Sequence, residues 1–167
     1  MAAALLLSGC PRRGADTPAI APDTFDSRRQ IWAAIQPMAA ARGLDPEFVY
    51  AIVRVESRFD PHARHGENRG LMQIKPEAWK AVSGLPYVPA VWDWRANLAV
   101  GMDGLAATKR TLPEKGVFSY PLLWAAYHYG LDFVASHEFD MSRIPRPSDP
   151  ISYKLWSGDI HPVKTPK

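Results

Sequence analysis

Apolar residues recur every three or four positions along most of this sequence, and no segment shows the convincing alternation of a half-buried β-strand. That spacing is the period of an α-helix, so the chain is predicted to be mainly α. The first helix is expected to begin at Asp26 or Ser27 and to end near Arg42, with Gly43 as its stop. Pro37 lies inside this segment and is expected to kink or split the helix.

The second helix has a clear start signal. Asp45 is a residue type that caps helix N-termini, Pro46 suits the first helical position, and Glu47 suits the positive end of the helix dipole. This helix is predicted to run to about Ser57. Three further helices are expected, over residues 76–82, 97–111 and 121–137.

Composition favours one packed domain. Hydrophobic residues make up 47% of the 167 positions, and the prediction is a single domain over 27–160 followed by a tail at 161–167. The Pro-rich stretch 144–150 is expected to be an ordered loop or linker. The formal net charge of +3 is only mildly basic, and no cluster of basic and aromatic residues is present in the sequence. Nucleic acid is therefore not an expected partner.

The single cysteine, Cys10, follows three leucines, a serine and a glycine. An apolar run that leads into small residues is typical of a secretory signal, and this run resembles the lipobox of bacterial lipoproteins, whose cysteine is acylated. Residues 1–9 are interpreted as a lipoprotein signal segment and 10–26 as a flexible tether. The resemblance implies a membrane-anchored envelope protein that faces the periplasm, and Pro11 resembles sorting to the outer membrane. The alternative is a buried or spare thiol.

One carboxylate falls on the apolar face of the second helix. At about 100° per residue, Val49, Ile52 and Val53 share a stripe with Glu56. Desolvation by aliphatic neighbours and a place at the negative end of the helix dipole both favour the neutral carboxylic acid. Such a group can donate a proton to the oxygen of a glycosidic bond. The alternative is an ion pair with an arginine at the edge of the core.

Two linked motifs include and follow this carboxylate. Residues 56–63 read Glu-Ser-Arg-Phe-Asp-Pro-His-Ala, and residues 70–76 read Gly-Leu-Met-Gln-Ile-Lys-Pro. They resemble the first two motifs of the soluble-type lytic transglycosylases of glycoside hydrolase family 23, and residues 97–105 and 125–130 resemble two later ones. The resemblance spans about 44–153. It implies a helical, lysozyme-like fold of the goose type with a cleft.

The resemblance also implies roles for particular residues. Glu56 would be the sole catalytic acid and base. Four more positions match the family's cleft-lining or motif residues: Ser57, Met72, Gln73 and Tyr127. Tyr153 is expected, on spacing alone, to hydrogen-bond the catalytic acid. His128 stands where the family usually has asparagine, which would alter a substrate hydrogen bond or make it pH-sensitive. No cofactor is implied, and His62 and His65 are assigned to the surface or cleft rather than to a metal site.

The implied substrate is the glycan of peptidoglycan, cut by a monomeric enzyme. The acid would protonate the oxygen that links N-acetylmuramic acid to N-acetylglucosamine, and would then, as a base, take the proton of the muramoyl C6 hydroxyl as a 1,6-anhydro ring closes. One alternative is a goose-type lysozyme-like hydrolase, with Asp60 or Glu67 as a second carboxylate. Asp60 precedes Pro61, which favours capping at the end of the helix. The other alternative is a lipoprotein that binds peptidoglycan without cutting it.

Overall fold

The computed structural model describes residues 27–167. The predictions for Cys10, the signal segment and the tether lie outside the described residues. In chain order the elements are α1 (Ser27–Ala40), α2 (Pro46–Ser57), β1 (Arg64–His65), β2 (Asn68–Arg69), α3 (Pro76–Val82), α4 (Tyr87–Ala90), α5 (Trp94–Glu114), α6 (Tyr120–Tyr129), α7 (Leu131–Ser136) and α8 (Pro150–Ser157). The architecture is mainly α, as predicted.

Helices α1 and α2 follow their start and stop signals. α1 continues through Pro37 without being split, and Gly43 takes φ +64° in the turn that follows the helix. Asp45 caps α2, because its Oδ1 accepts a 2.9 Å hydrogen bond from the backbone N–H of Phe48. Pro46 occupies the first turn, where its missing N–H costs nothing. The predicted start of α2 is confirmed.

Helix α5 is longer than the predicted segment 97–111. Asp93 provides its N-cap, and its Oδ1 accepts hydrogen bonds of 2.9 Å and 3.2 Å from the backbone N–H groups of Arg95 and Ala96. The cap therefore moves the start of the helix back to Trp94. This helix packs against α1, α3 and α6, so it contacts helices from both the beginning and the later part of the domain.

The C-terminal half differs from the prediction in two places. The prediction of a single helix over 121–137 was wrong, because Gly130, at φ +99° and ψ 148°, separates α6 from α7. A non-glycine residue would be strained in that conformation. Helix α8 was not predicted, although Asp149 caps it by accepting hydrogen bonds from the backbone N–H groups of Ile151 and Ser152.

A small hairpin follows α2. In the antiparallel pair β1 and β2, Arg64 lies opposite Arg69 and His65 lies opposite Asn68. A further bridge joins Arg69 to Ile74 and brings the next loop alongside the hairpin. No strand was predicted here, because a strand of two residues is too short to show alternation.

Helix α2 runs through the core. All six residues of 48–53 are buried, and the helix packs against α1 on one side and α8 on the other. The Pro-rich stretch 144–150 begins with Ile144, which is 2% exposed, and ends with Asp149 and Pro150, which cap and begin α8. Within residues 27–167, none of the helices has both the length and the apolar character needed to cross a membrane.

Candidate active site

A cavity of about 290 Å³ opens between the C-terminal end of α2, the loop after the hairpin, α5 and α6. Its polar lining includes Glu56, Asn68, Gln73, Lys75, Tyr127 and His128. Among the described residues that line this cavity, Glu56 carries the only carboxylate. Four residues that the sequence singled out, from three separate motifs, therefore meet in one place.

Glu56 lies in the last turn of α2, on the stripe that buries Val49, Ile52 and Val53. Its side chain is 12% exposed, which leaves the carboxyl mostly covered but open to the cavity. The prediction that this carboxylate shares the apolar face is confirmed. The helical wheel was informative here because every residue of the stripe belongs to one continuous helix.

The partner of this carboxylate is His128 rather than an arginine. Nδ1 of His128 lies 2.8 Å from Oε1 of Glu56. The imidazole ring stacks on Trp124 at 5.2 Å between ring centroids and 12° between planes, and Tyr129 meets it edge-on. The hydrogen bond with Glu56 raises the pKa of His128, and burial of the ring acts against that rise. Helices α2 and α6 thus contribute one ionisable group each to a single contact.

Tyr127 ties α6 to the loop of the second motif. Its hydroxyl donates a 2.8 Å hydrogen bond to the backbone carbonyl of Met72. Burial raises the pKa of Tyr127 well above its usual range, and the negative charge of Glu56 raises it further. The phenol therefore stays a neutral donor at physiological pH, which suits a group that holds a backbone carbonyl in place.

Asn97 holds the same loop from the opposite side. This residue is fully buried, and its Oδ1 accepts a 2.9 Å hydrogen bond from the backbone N–H of Met72. Its Nδ2 donates 3.1 Å hydrogen bonds to the carbonyls of Arg69 and Val91. The amide of Asn97 therefore joins helix α5 to the loop at 69–72 and to the carbonyl of Val91. These hydrogen bonds satisfy a polar side chain that lies in the core.

Two glycines permit close approaches beside the cavity. Gly70 takes φ +76°, and a Cβ there would collide with the side chain of Asn97. A Cβ on Gly101 of α5 would collide with the side chain of Met72. The Gly-Leu-Met-Gln run therefore requires a glycine at its first position for both conformational and steric reasons.

The predicted cleft residues do not all face the cavity. Gln73 lines it, with Nε2 donating hydrogen bonds to the carbonyls of Ala63 and Gly70. Met72 is fully buried and is not among the lining residues. Ser57 is 7% exposed and also lies off the cavity wall, because its hydroxyl donates to the carbonyl of Val53 and accepts from the N–H of Phe59. Met72 and Ser57 shape the site without lining it.

Tyr153 does not make the hydrogen bond to Glu56 that spacing suggested. Its ring stacks on Trp156 at 5.8 Å, and the guanidinium of Arg146 lies 4.2 Å from its centroid. Across residues 27–167, the side-chain hydrogen bond to the Glu56 carboxyl comes from His128. The expectation failed because spacing along the chain does not fix the direction in which α8 presents this side chain.

Asn68 is a lining residue that sequence reasoning missed. It lies on β2 and contributes to the cavity wall. Its Oδ1 is buried and has no hydrogen-bond partner within the described residues, and the same holds for Oε1 of Gln73. Buried acceptors without partners are uncommon in proteins, and here both belong to residues of the cavity wall. The position of Asn68, two residues before the Gly-Leu-Met-Gln run, was the signal available in the sequence.

The two candidates for a second carboxylate lie elsewhere. Asp60 is exposed, and its Oδ1 accepts a 2.8 Å hydrogen bond from the backbone N–H of His62. It stabilises a turn after the helix rather than the helix end that was predicted, because α2 ends at Ser57 with Arg58 as its C-cap. Glu67 is exposed in the turn of the hairpin, and its carbonyl accepts a hydrogen bond from the hydroxyl of Tyr87. Neither residue lines the cavity in the described structure.

The family model described as the transglycosylase SLT domain matches residues 33–139. The chain belongs to this family. A solved structure of an inactive mutant of the lytic transglycosylase Slt from Pseudomonas aeruginosa is similar to this chain, with a TM-score of 0.55 and 24% sequence identity. The match covers 78% of this chain and 20% of that protein, so the SLT domain described here spans about a fifth of its length. No curated protein matches the chain. The similarity agrees with the predicted lysozyme-like helical fold.

Proposed function

We propose that this SLT domain cleaves the β-1,4 bond between N-acetylmuramic acid and N-acetylglucosamine in peptidoglycan without using water. The products would carry 1,6-anhydromuramic acid ends. The observation that carries the proposal is the mostly buried carboxyl of Glu56, which is the single acid in the described lining of the cavity. A mostly buried carboxyl that faces a cavity, and whose partner is a titratable histidine rather than a permanent cation, is a candidate catalytic group.

One carboxylate suffices for this reaction. Glu56 as an acid protonates the glycosidic oxygen, and the resulting carboxylate then takes the proton from the C6 hydroxyl of the same muramoyl residue. Attack by a hydroxyl of the substrate itself has a large entropic advantage over attack by water. Asn68 and Gln73 support the proposal, because they add polar amide side chains to the lining of the same cavity, which suits the hydroxyl and N-acetyl groups of a glycan.

Hydrolysis by a goose-type mechanism receives less support. An inverting glycosidase needs a second carboxylate, about 6.5–9.5 Å from the first, to activate water. Asp60 and Glu67 are exposed and lie off the cavity wall in the described structure. A protein that only binds peptidoglycan is also less well supported, since binding would not require a mostly buried acid.

The test is product analysis with Glu56→Gln on intact sacculi, using mass spectrometry. The wild type is expected to release anhydromuropeptides, and E56Q is expected to be slower by at least about a thousandfold, because the amide neither donates nor accepts the proton. Glu67→Gln is a matched control, since the same change on the exposed hairpin turn should leave the rate unaltered. Reducing-end sugars as the main products would refute the transglycosylase assignment, and full activity of E56Q would refute the role of Glu56.

We further propose that the protein is a monomeric envelope lipoprotein, anchored in a membrane through Cys10 and facing the periplasm. The proposal is supported by the apolar run that leads into Ser8, Gly9 and Cys10, and by a polymer substrate found in that compartment. The test is mass spectrometry of the N-terminal peptide together with membrane fractionation of wild type and Cys10→Ala. An unacylated cysteine with equal fractionation of both forms would contradict it.

A further inference from the structure

Glu56 makes a hydrogen bond to His128, a second titratable group that the proposed reaction with one carboxylate does not use. Nδ1 and Oε1 are 2.8 Å apart, which is a short hydrogen bond between two groups that can each hold a proton. The His128 side chain is 33% exposed, whereas that of Glu56 is 12% exposed. The histidine therefore lies between solvent in the cleft and the more buried acid.

We propose that His128 is a positioning residue that stores the proton used by Glu56. In the cleft without substrate the proton resides on Nδ1, and it passes along the hydrogen bond to Oε1 when glycan fills the cavity. The proposal rests on the proposed function, because it assumes that Glu56 is the acid. It extends that function by assigning the source of the proton.

Before glycan binds, the cleft is open to water and the proton resides on the imidazole. Imidazole in water binds a proton roughly a hundredfold more tightly than a side-chain carboxylate does. With water present, a pair that holds one proton therefore exists as imidazolium and carboxylate. The raised pKa of His128, caused first by its hydrogen bond to Glu56, agrees with this arrangement. Stacking on Trp124 fixes the plane of the ring, so Nδ1 stays directed at the carboxyl.

When glycan fills the cleft, the proton moves to the carboxyl. A sugar in the cavity displaces water, and removing water disfavours two charges more than it disfavours a neutral acid beside a neutral imidazole. The proton then leaves Nδ1 of His128 and binds Oε1 of Glu56, so that both groups become neutral while the net charge of the pair stays the same. Glu56 gives this proton to the glycosidic oxygen and regains one from the C6 hydroxyl. That proton returns to His128 when product leaves and water re-enters.

Other ionisable groups near His128 do not replace Glu56 in this role. Lys75, Tyr127 and Tyr129 line the same cavity. Helices α5, α7 and α8 pack against α6, and their charged side chains include Asp132 of α7 and Lys154 of α8. Among all these groups in the described structure, the hydrogen bond and charge that raise the pKa of His128 both come from Glu56.

The pH dependence follows from the proton count. The pair is competent while it holds at least one proton, and that proton is lost as pH rises through the raised pKa of His128. In His128→Asn the asparagine keeps the place of a hydrogen-bond donor but cannot store a proton. The basic limb of kcat/KM is expected to move to lower pH by about two units, which is the roughly hundredfold difference in proton affinity between an imidazole and a carboxylate in water. Activity at acid pH should change much less.

The experiment measures anhydromuropeptide release by the full chain between pH 5 and 9, for wild type, H128N and His65→Asn. His65 is exposed on the hairpin and serves as the matched histidine control. A wild type that releases no anhydro products would refute the proposed function. A wild type that releases them with the same basic limb as H128N would refute the storage role of His128 alone.

A second measurement does not depend on activity or on the folding of H128N. Ring resonances of His128 are titrated by NMR in wild type and in Glu56→Gln. The pKa of His128 is expected to fall in E56Q toward the ordinary histidine value, because the carboxylate that raises it is gone. An unchanged pKa would overturn the proposal, since the proton would then not be shared with Glu56.

Discussion

Replacement of Asn97 by alanine tests whether one buried amide holds the loop of the second motif. Asn97→Ala removes three hydrogen bonds and leaves the N–H of Met72 and the carbonyls of Arg69 and Val91 without that partner. A buried polar group left unpaired costs about 1–3 kcal/mol. The bond to Arg69 is only partly buried, so the expected loss is about 3–5 kcal/mol of the free energy of unfolding. That is a large part of the stability of an ordinary domain.

The assay is urea denaturation at constant pH, supported by thermal melting, where the melting temperature should fall by about 10–15 °C for a chain of this size. Asn68→Ala is the matched control. It makes the same change at a residue whose side-chain oxygen has no partner in the described structure. Its cost is expected to be below about 1 kcal/mol. Equal losses of stability in the two variants would refute the role assigned to Asn97.

Two further outcomes are expected. N68A should raise KM for glycan strands several-fold with kcat nearly unchanged, because a polar side chain of the cavity wall that does not contact Glu56 would serve binding more than chemistry. A fall in kcat with constant KM would contradict this. The stability that wild type gains over H128N should be fully present below the ordinary histidine pKa and should decline as pH rises through the raised pKa of His128. Urea titrations from pH 5 to 9 check the sign, and a gain that grows with pH would show that the pairing is misassigned.

Local signals allowed much of the fold to be predicted. Asp45 and Pro46 specify the start of α2 through groups within three residues of each other, and the structure has that start. The same Asp-Pro signal at Asp149 and Pro150 marks the start of α8, which was not predicted because the segment was interpreted as part of a Pro-rich loop. The break at Gly130 depends on a single backbone conformation that periodicity does not report.

The site was predictable to the extent that its residues lie on one helix. Glu56 could be placed from α2 alone, because its three aliphatic neighbours share that helix. Its contact with His128 joins residues 72 positions apart and depends on where the fold places α6 relative to α2, which periodicity does not specify. The expected hydrogen bond from Tyr153 to Glu56 was wrong, because spacing along the chain carries no information on side-chain direction. Ser57 and Met72 were assigned to the cleft from their position in the motifs, whereas both side chains are buried and neither lines the cavity.

The burial of residues 48–53 on every side has a mechanical consequence for the cleft. Glu56 extends from the last turn of this buried helix, so this wall is expected to resist displacement when a polymer chain presses into the groove. The facing wall includes a hairpin whose strands have two residues each, and its turn is exposed to solvent. A bulky glycan strand should therefore be accommodated by yielding of the hairpin, while the acid keeps its position and its angle to the bond being cut.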